Sequence, residues 1–156
     1  MARRLREEIQ QQKPFESLEQ EAVLNVLRTA DVLLQRIAAV LKPFRLSHSQ
    51  YNVLRILRGA GPEGLACREI GRRMITRDPD ITRLLDRLEA RGLLTRTRDQ
   101  QDRRVITARI TSEGRSLVGA LDQPIAEADC QPLRHLGERR LRTLIRLLEL
   151  ARDGGG

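Results

Sequence analysis

The chain has 156 residues, 40% of them hydrophobic, which is enough for one domain with a core of its own. Only 2% are aromatic, and with Phe15, Phe44 and Tyr51 as the only rings, a site built on base-stacking platforms for single strands is excluded as an expectation. Lys and Arg number 29 against 21 Asp and Glu, a formal charge of +8, which implies an anionic partner.

Residues 1–16 read as a polar arm, frayed or carrying a short leading helix, with Pro14 as a break. Ser17 and Gln20 have capping-box spacing and predict a helix over 17–42, ending before Pro43. In it Val23, Leu27, Ala30, Leu34, Ile37 and Leu41 form a seam, while Leu24, Val32, Leu33 and Val40 make further faces apolar. So wide a surface wants more than one partner helix and points to an oligomer. A second box, Ser47 to Gln50, opens a helix bearing Tyr51, Leu54 and Leu57. It ends at the Gly59, Gly61, Pro62, Gly64 break. A short third helix follows, with Ile70 and Met74 on one face and Arg68, Arg72 and Arg73 elsewhere.

Asp78 as N-cap and Pro79 at the first helical position predict where the next helix starts. Ile81, Leu84, Leu85 and Leu88 must share a buried stripe, leaving Asp80, Thr82, Arg83, Asp86 and Arg87 facing away, and Gly92 stops the helix. Leu93 to Arg98 and Arg104 to Thr111 read as two strands around the polar turn Asp99 to Asp102. Thr111 caps a helix through Leu117, Val118, Leu121 and Ile125 that is expected to bend or break near Pro124 and again near Pro132. A last helix begins near Glu138 with a stripe of Leu141, Leu144, Ile145 and Leu148, and 153–156 is a flexible tail.

The fold class is therefore mainly α with a small β-hairpin wing. Two short helices joined by a tight turn before the wing make a winged helix-turn-helix over 47–111, and the helices of 17–42 and 112–152 are left for dimerisation. Between Arg68 and Arg109 stand twelve arginines and seven acids, so the excess charge is concentrated where that helix and hairpin lie. Duplex DNA is the expected partner.

Other chemistries find little support. Cys67 and Cys130 are far apart with no metal-ligand spacing, and His48 and His135 have no acid or nucleophile at a motif distance, so no metal, cofactor or catalytic site is expected. No enzyme is indicated. Arg3, Arg4 and Arg6 precede Glu7 and Glu8 rather than an apolar core, and no run reaches membrane-spanning length, so the expected location is the cytoplasm, away from membranes.

Asp102, Arg103 and Arg104, followed by Ile110, Thr111 and Gly114, resemble the wing and closing motif of the MarR family of transcriptional regulators. The run Ile81 to Arg96 resembles that family's recognition helix and first wing strand, and the likeness covers roughly residues 17 to 152. Ile110 replaces the usual leucine, and Asp78-Pro79 stands where many members have small polar residues. The resemblance implies a triangular homodimer with interlocked terminal helices above two winged lobes. It also implies sequence-specific binding of a palindromic operator, with repression relieved by a small-molecule effector.

Thr82 and Arg83 become the major-groove candidates, because arginine pairs bidentately with guanine and threonine meets a base or a phosphate; Arg87 is assigned to phosphate. Arg104 is the family-matched wing arginine for the minor groove, with Asp102 orienting it and Arg103 sharing the task. The competing reading is that Asp102 and Arg104 only staple the hairpin. At the level of function, the alternatives are a redox-sensing regulator acting through Cys67 or Cys130 and a non-specific architectural DNA binder.

Overall fold

The computed structural model describes residues 4–77 and 79–154. The chain forms two compact units, Met1–Arg36 and Ile37–Gly156. The expected N-cap Asp78 and the last two glycines of the tail lie outside the described residues.

In the first unit the arm is more organised than its polarity suggests. Leu5–Glu8 forms a single turn, α1, with Leu5 buried, and Arg6 Nε donates to the Gln11 carbonyl at 3.1 Å. Glu8 pairs with Arg28 of α2 (Leu18–Leu41) at 3.5 Å. Ser17 Oγ accepts from the Gln20 N–H at 3.1 Å, while the Gln20 side chain accepts from the N–H of Glu16 rather than of Ser17. Within this unit α2 leaves Val23, Val26 and Leu27 exposed.

The second unit holds the core. Past a 3-10 turn at Lys42–Phe44 that contains Pro43, Arg45 takes a left-handed conformation, and Arg91 donates to the carbonyls of Arg45 and Phe44 at 2.6 and 3.0 Å. Helix α3 (His48–Ala60) starts where its box predicts: Ser47 Oγ accepts from Gln50 N at 3.1 Å and Gln50 Oε1 from Ser47 N at 2.9 Å. Its Val53, Leu54 and Leu57 are fully buried, packed with Ile70 of α4 (Cys67–Arg73), Leu85 and Leu88 of α5 (Ile81–Ala90), and Val118 and Leu121 of α6 (Ser112–Cys130). Complete burial of such side chains is the main stabilising contribution available to a lobe of this size.

A two-residue strand absent from the sequence expectation, β1 (Leu65–Ala66), pairs antiparallel with β3 (Ile106–Ile110), which also pairs with β2 (Leu94–Arg98). The hairpin thus becomes a three-stranded sheet. Leu94 stands opposite Ile110, Arg98 opposite Ile106 and Leu65 opposite Ala108. The approach depends on Gly64, whose φ is +75° and where a Cβ would run into the Ala108 carbonyl oxygen.

Three boundaries differ from expectation. The link between β2 and β3 runs over 99–105, longer than the four-residue turn, because Val105 N–H bonds back to the Asp102 carbonyl at 2.9 Å and delays the strand. Helix α6 continues through Pro124 to Cys130 without the expected break, since Leu121 and Ile125 on either side are both buried and anchor the same stripe. The start of α5 also moves. Asp80 is its N-cap, accepting from Arg83 N–H at 3.0 Å, so Pro79 sits in the preceding turn and not at the first helical position. The final helix α7 (Gly137–Asp153) has Leu141, Leu144 and Leu148 half-buried and Ile145 exposed.

Candidate nucleic-acid interface

Helix α5 is positioned by bonds at both ends. The turn before it is held by Asn52 of α3, a buried polar side chain whose Oδ1 accepts from Ile75 N–H at 2.8 Å. That bond satisfies Asn52 and fixes the backbone between α4 and α5. With Asp80 capping, Ile81, Thr82 and Arg83 fill the first turn, and the carboxylate lies favourably at the helix's positive end. Thr82, Arg83, Asp86 and Arg87 are exposed together, opposite the buried Leu84, Leu85 and Leu88. Among the described residues, neither Arg83 nor Arg87 makes an ion pair.

The far end is tied to the wing stem. Arg96 of β2 donates Nη2 to Glu89 at 2.7 Å and to Asp86 at 2.6 Å, while its backbone N–H bonds the other Glu89 oxygen at 2.8 Å. Hydrogen bonding from Arg96 holds the Glu89 carboxyl below the usual carboxylate range. The closing motif locks the other side: Thr111 Oγ1 donates to the Gly92 carbonyl at 2.6 Å and accepts from Gly114 N–H at 3.1 Å. At Gly114 a Cβ would strike the Leu93 carbonyl oxygen, so only glycine lets α6 lie this close to the hairpin.

The tip of the wing is shaped by two aspartates. Asp99 Oδ1 accepts from the N–H groups of Gln101 and Asp102, both at 2.8 Å, and Asp102 Oδ1 accepts from Arg104 N–H at 3.0 Å and Nε at 3.3 Å. The two backbone bonds hold the Asp99 carboxyl below its ordinary range. The Arg104 side chain is 94% exposed, and Arg103 and Arg98 are exposed beside it. Thus the structure groups Thr82, Arg83 and Arg87 on one helix face and Asp102, Arg103 and Arg104 on one loop.

The MarR family model matches residues 46–106. A MarR transcription factor from Planctomyces limnophilus is 43% identical, with the alignment covering 88% of this chain and 99% of that one at a TM-score of 0.68. The chain belongs to the MarR family. Its members are DNA-binding transcriptional regulators, and the mainly helical fold with a small three-stranded sheet matches their winged-helix structures.

Among curated proteins, the HTH-type transcriptional regulator TtmR of Methylorubrum extorquens is 35% identical over 107 residues, 69% of this chain. The match spans about half of that relative, 54% of its length. CouR from Rhodococcus jostii, whose structure holds p-coumaroyl-CoA, is 26% identical, covered over 88% of this chain and 95% of its own, with a TM-score of 0.72.

Residues that join the elements were not singled out from the sequence as site residues: Asn52, Glu89, Arg96 and Asp99. Of these, Asp99 carried a usable signal, since an aspartate opening a polar turn readily bonds backbone two residues on. Cys67, at the start of α4, is half-buried and burial pushes its thiol up, which suppresses the thiolate that redox chemistry needs; Cys130 is exposed. Burial lowers His48 against an opposing pull from Asp129. Among the described residues no group of three His, Cys, Asp or Glu could hold a metal ion, and no helix is long and apolar enough to cross a membrane.

Proposed function

We propose that this MarR-family regulator binds an inverted-repeat operator as a homodimer and represses transcription until a small-molecule effector weakens binding. The carrying observation is the exposed strip of Thr82, Arg83 and Arg87 on a helix that is capped at one end and tied to the wing at the other. Arg83 and Thr82 read base edges in the major groove, Arg87 takes a phosphate, and Arg104, oriented by Asp102 and assisted by Arg103, enters or borders the minor groove. The near-complete exposure of Arg104 favours this over the hairpin staple, because an exposed pair contributes little stability.

Dimerisation is assigned to α2 and to α6 with α7. Support comes from Val23 and Leu27 on α2 and from a shallow groove along the start of α7, where Leu136, Leu144 and Leu147 lie beside Arg139, Arg140 and Thr143. The effector proposal draws on CouR, whose structure holds p-coumaroyl-CoA; an effector that alters the spacing of the two lobes of a dimer would mismatch the two half-sites.

Selection of bound duplexes from a random pool, paired with sedimentation, tests the reading. Two-fold symmetry predicts a dyad with half-site centres about 10 base pairs apart. Recovery of sites lacking dyad symmetry would refute the dimeric operator, and equal affinity for random and selected duplex would favour an architectural binder.

A further inference from the structure

Asp86 is an odd neighbour for a DNA-reading arginine. It lies three residues beyond Arg83 on the exposed strip of α5, the separation at which helical side chains meet. Pairs of this kind do form on this chain: Glu69 and Arg72, also three apart, lie 2.6 Å from one another on α4. An Asp86 carboxylate left to itself would take Arg83 and occupy the guanidinium fork that guanine requires.

Instead Asp86 is held by Arg96, at 2.6 Å, from the opposite side. The Arg96 side chain is only 19% exposed, so it sits behind the strip and not on it, whereas Asp86 is 56% exposed. Glu89 alone accounts for Arg96 as a brace between α5 and β2, through its bonds to Nε, Nη2 and the backbone N–H. The additional bond to the exposed Asp86 adds little to stability. Its consequence falls on the neighbouring arginine.

We infer that Arg96 is a positioning residue for base readout, withholding Asp86 from Arg83 so that the Arg83 guanidinium meets DNA unpaired. This rests on the proposal that Arg83 reads a base. Arg96 itself touches no DNA in this arrangement; it acts through Asp86.

The test is a double-mutant cycle of Arg96→Met and Asp86→Asn, reading base preference on single-base variants of the selected duplex, with Arg83→Ala as the reference and thermal melting measured in parallel. Arg83→Ala locates the base pair that Arg83 reads. Arg96→Met should lose roughly fivefold or more of the preference at that same pair, Asp86→Asn alone should stay within about twofold, and the double variant should regain the preference without regaining melting temperature. Preference unchanged in Arg96→Met, or lost and not regained in the double variant, overturns the inference and leaves Arg96 as a brace. If Arg96→Met does not fold, the cycle is run with Glu89→Gln in all four proteins, since the glutamine amide oxygen still accepts the Arg96 backbone N–H; the same outcomes decide. An Arg83→Ala protein with unaltered preference removes the base-reading assignment as well. Normal loss in Arg83→Ala with none in Arg96→Met removes the inference alone.

Discussion

The winged lobe and the long terminal helices treat the same residue type in opposite ways. In the lobe Leu54, Leu57, Leu85 and Leu88 are buried to 1% exposure or less. On the terminal helices Leu27 is 60% exposed and Leu147 58%. The lobe buries most of its large apolar side chains, with Ile75 an exception at 79% exposure, and leaves Arg83 and Arg87 exposed without an ion pair among the described residues. The terminal helices carry apolar surface that a single chain leaves in water, which is the physical case for a second copy. If the proposed function holds, DNA contact and assembly are separable, and substitutions should affect one or the other.

The largest effect is expected in the lobe. Leu88→Ala removes a fully buried side chain among α3, α5 and the sheet, and should cost about 2 to 5 kcal/mol in chemical denaturation. Leu147→Ala in the same assay should cost far less at dilute protein, where assembly contributes nothing. Comparable losses would show that the terminal helix belongs to the core of one chain.

Next comes assembly itself. Leu27→Glu or Leu147→Glu places a charge where the proposed interface is dry, so sedimentation should show monomers that retain the lobe's helical signal. Binding to the full dyad should fall because the two half-sites lose their linkage. Intact dimers in both variants would move the interface elsewhere. A smaller change is expected at the wing: Arg104→Ala should reduce affinity for duplex and flatten the slope of log K against log salt by about one, with melting temperature nearly unchanged. Asp102→Ala should be milder in affinity, because the arginine keeps its charge. Loss of melting temperature in step with affinity would instead favour the staple.

The parts of this architecture legible in the sequence are those set by neighbours in the chain. Ser47 with Gln50, and Thr111 with Gly114, are bonds across three residues, and residue type plus spacing suffices to place them. The expected N-cap Asp78 lies outside the described residues, and the cap that the structure shows is Asp80, which accepts from the Arg83 N–H. A bend or a break was expected near Pro124, and α6 runs on without a break, because the local cost of proline is legible in the sequence and the burial of Leu121 and Ile125 that offsets it is not. Farther-reaching ties left no such trace. Asn52 meets Ile75 23 residues on, and β1 is a strand only because β3 passes beside it. Arg96 reads as one more exposed basic residue until the turn at Gly92 folds β2 back along α5. In the candidate interface, the exposed arginines and the neighbouring Asp102 were readable, and Asn52, Glu89 and Arg96, which tie one element to another, were not.

The smallest effect expected in the lobe is its response to acid, and it tests whether surface pairs or the core hold the helices together. Arg58 of α3 donates two bonds to Asp122 of α6, at 2.9 and 2.8 Å, and this hydrogen bonding holds the Asp122 carboxyl below its ordinary range, with Arg55 adding to the effect. Arg96 does the same for Glu89. A carboxyl depressed in the folded chain takes up its proton later than in the unfolded chain as pH falls. Its contribution is therefore present in full above the ordinary carboxylate range, about pH 4 to 5, and is lost as pH drops from there through the folded values. Asp122 is exposed, so screening keeps the contribution small. Melting temperatures of the wild-type chain and Asp122→Asn should accordingly differ slightly at pH 7, with the variant lower, and converge as the pH is taken to about 3. A difference that persists unchanged at the acid end would mean that the Arg58–Asp122 contact stabilises through packing and not charge, and that the lobe's surface pairs act as extensions of its core.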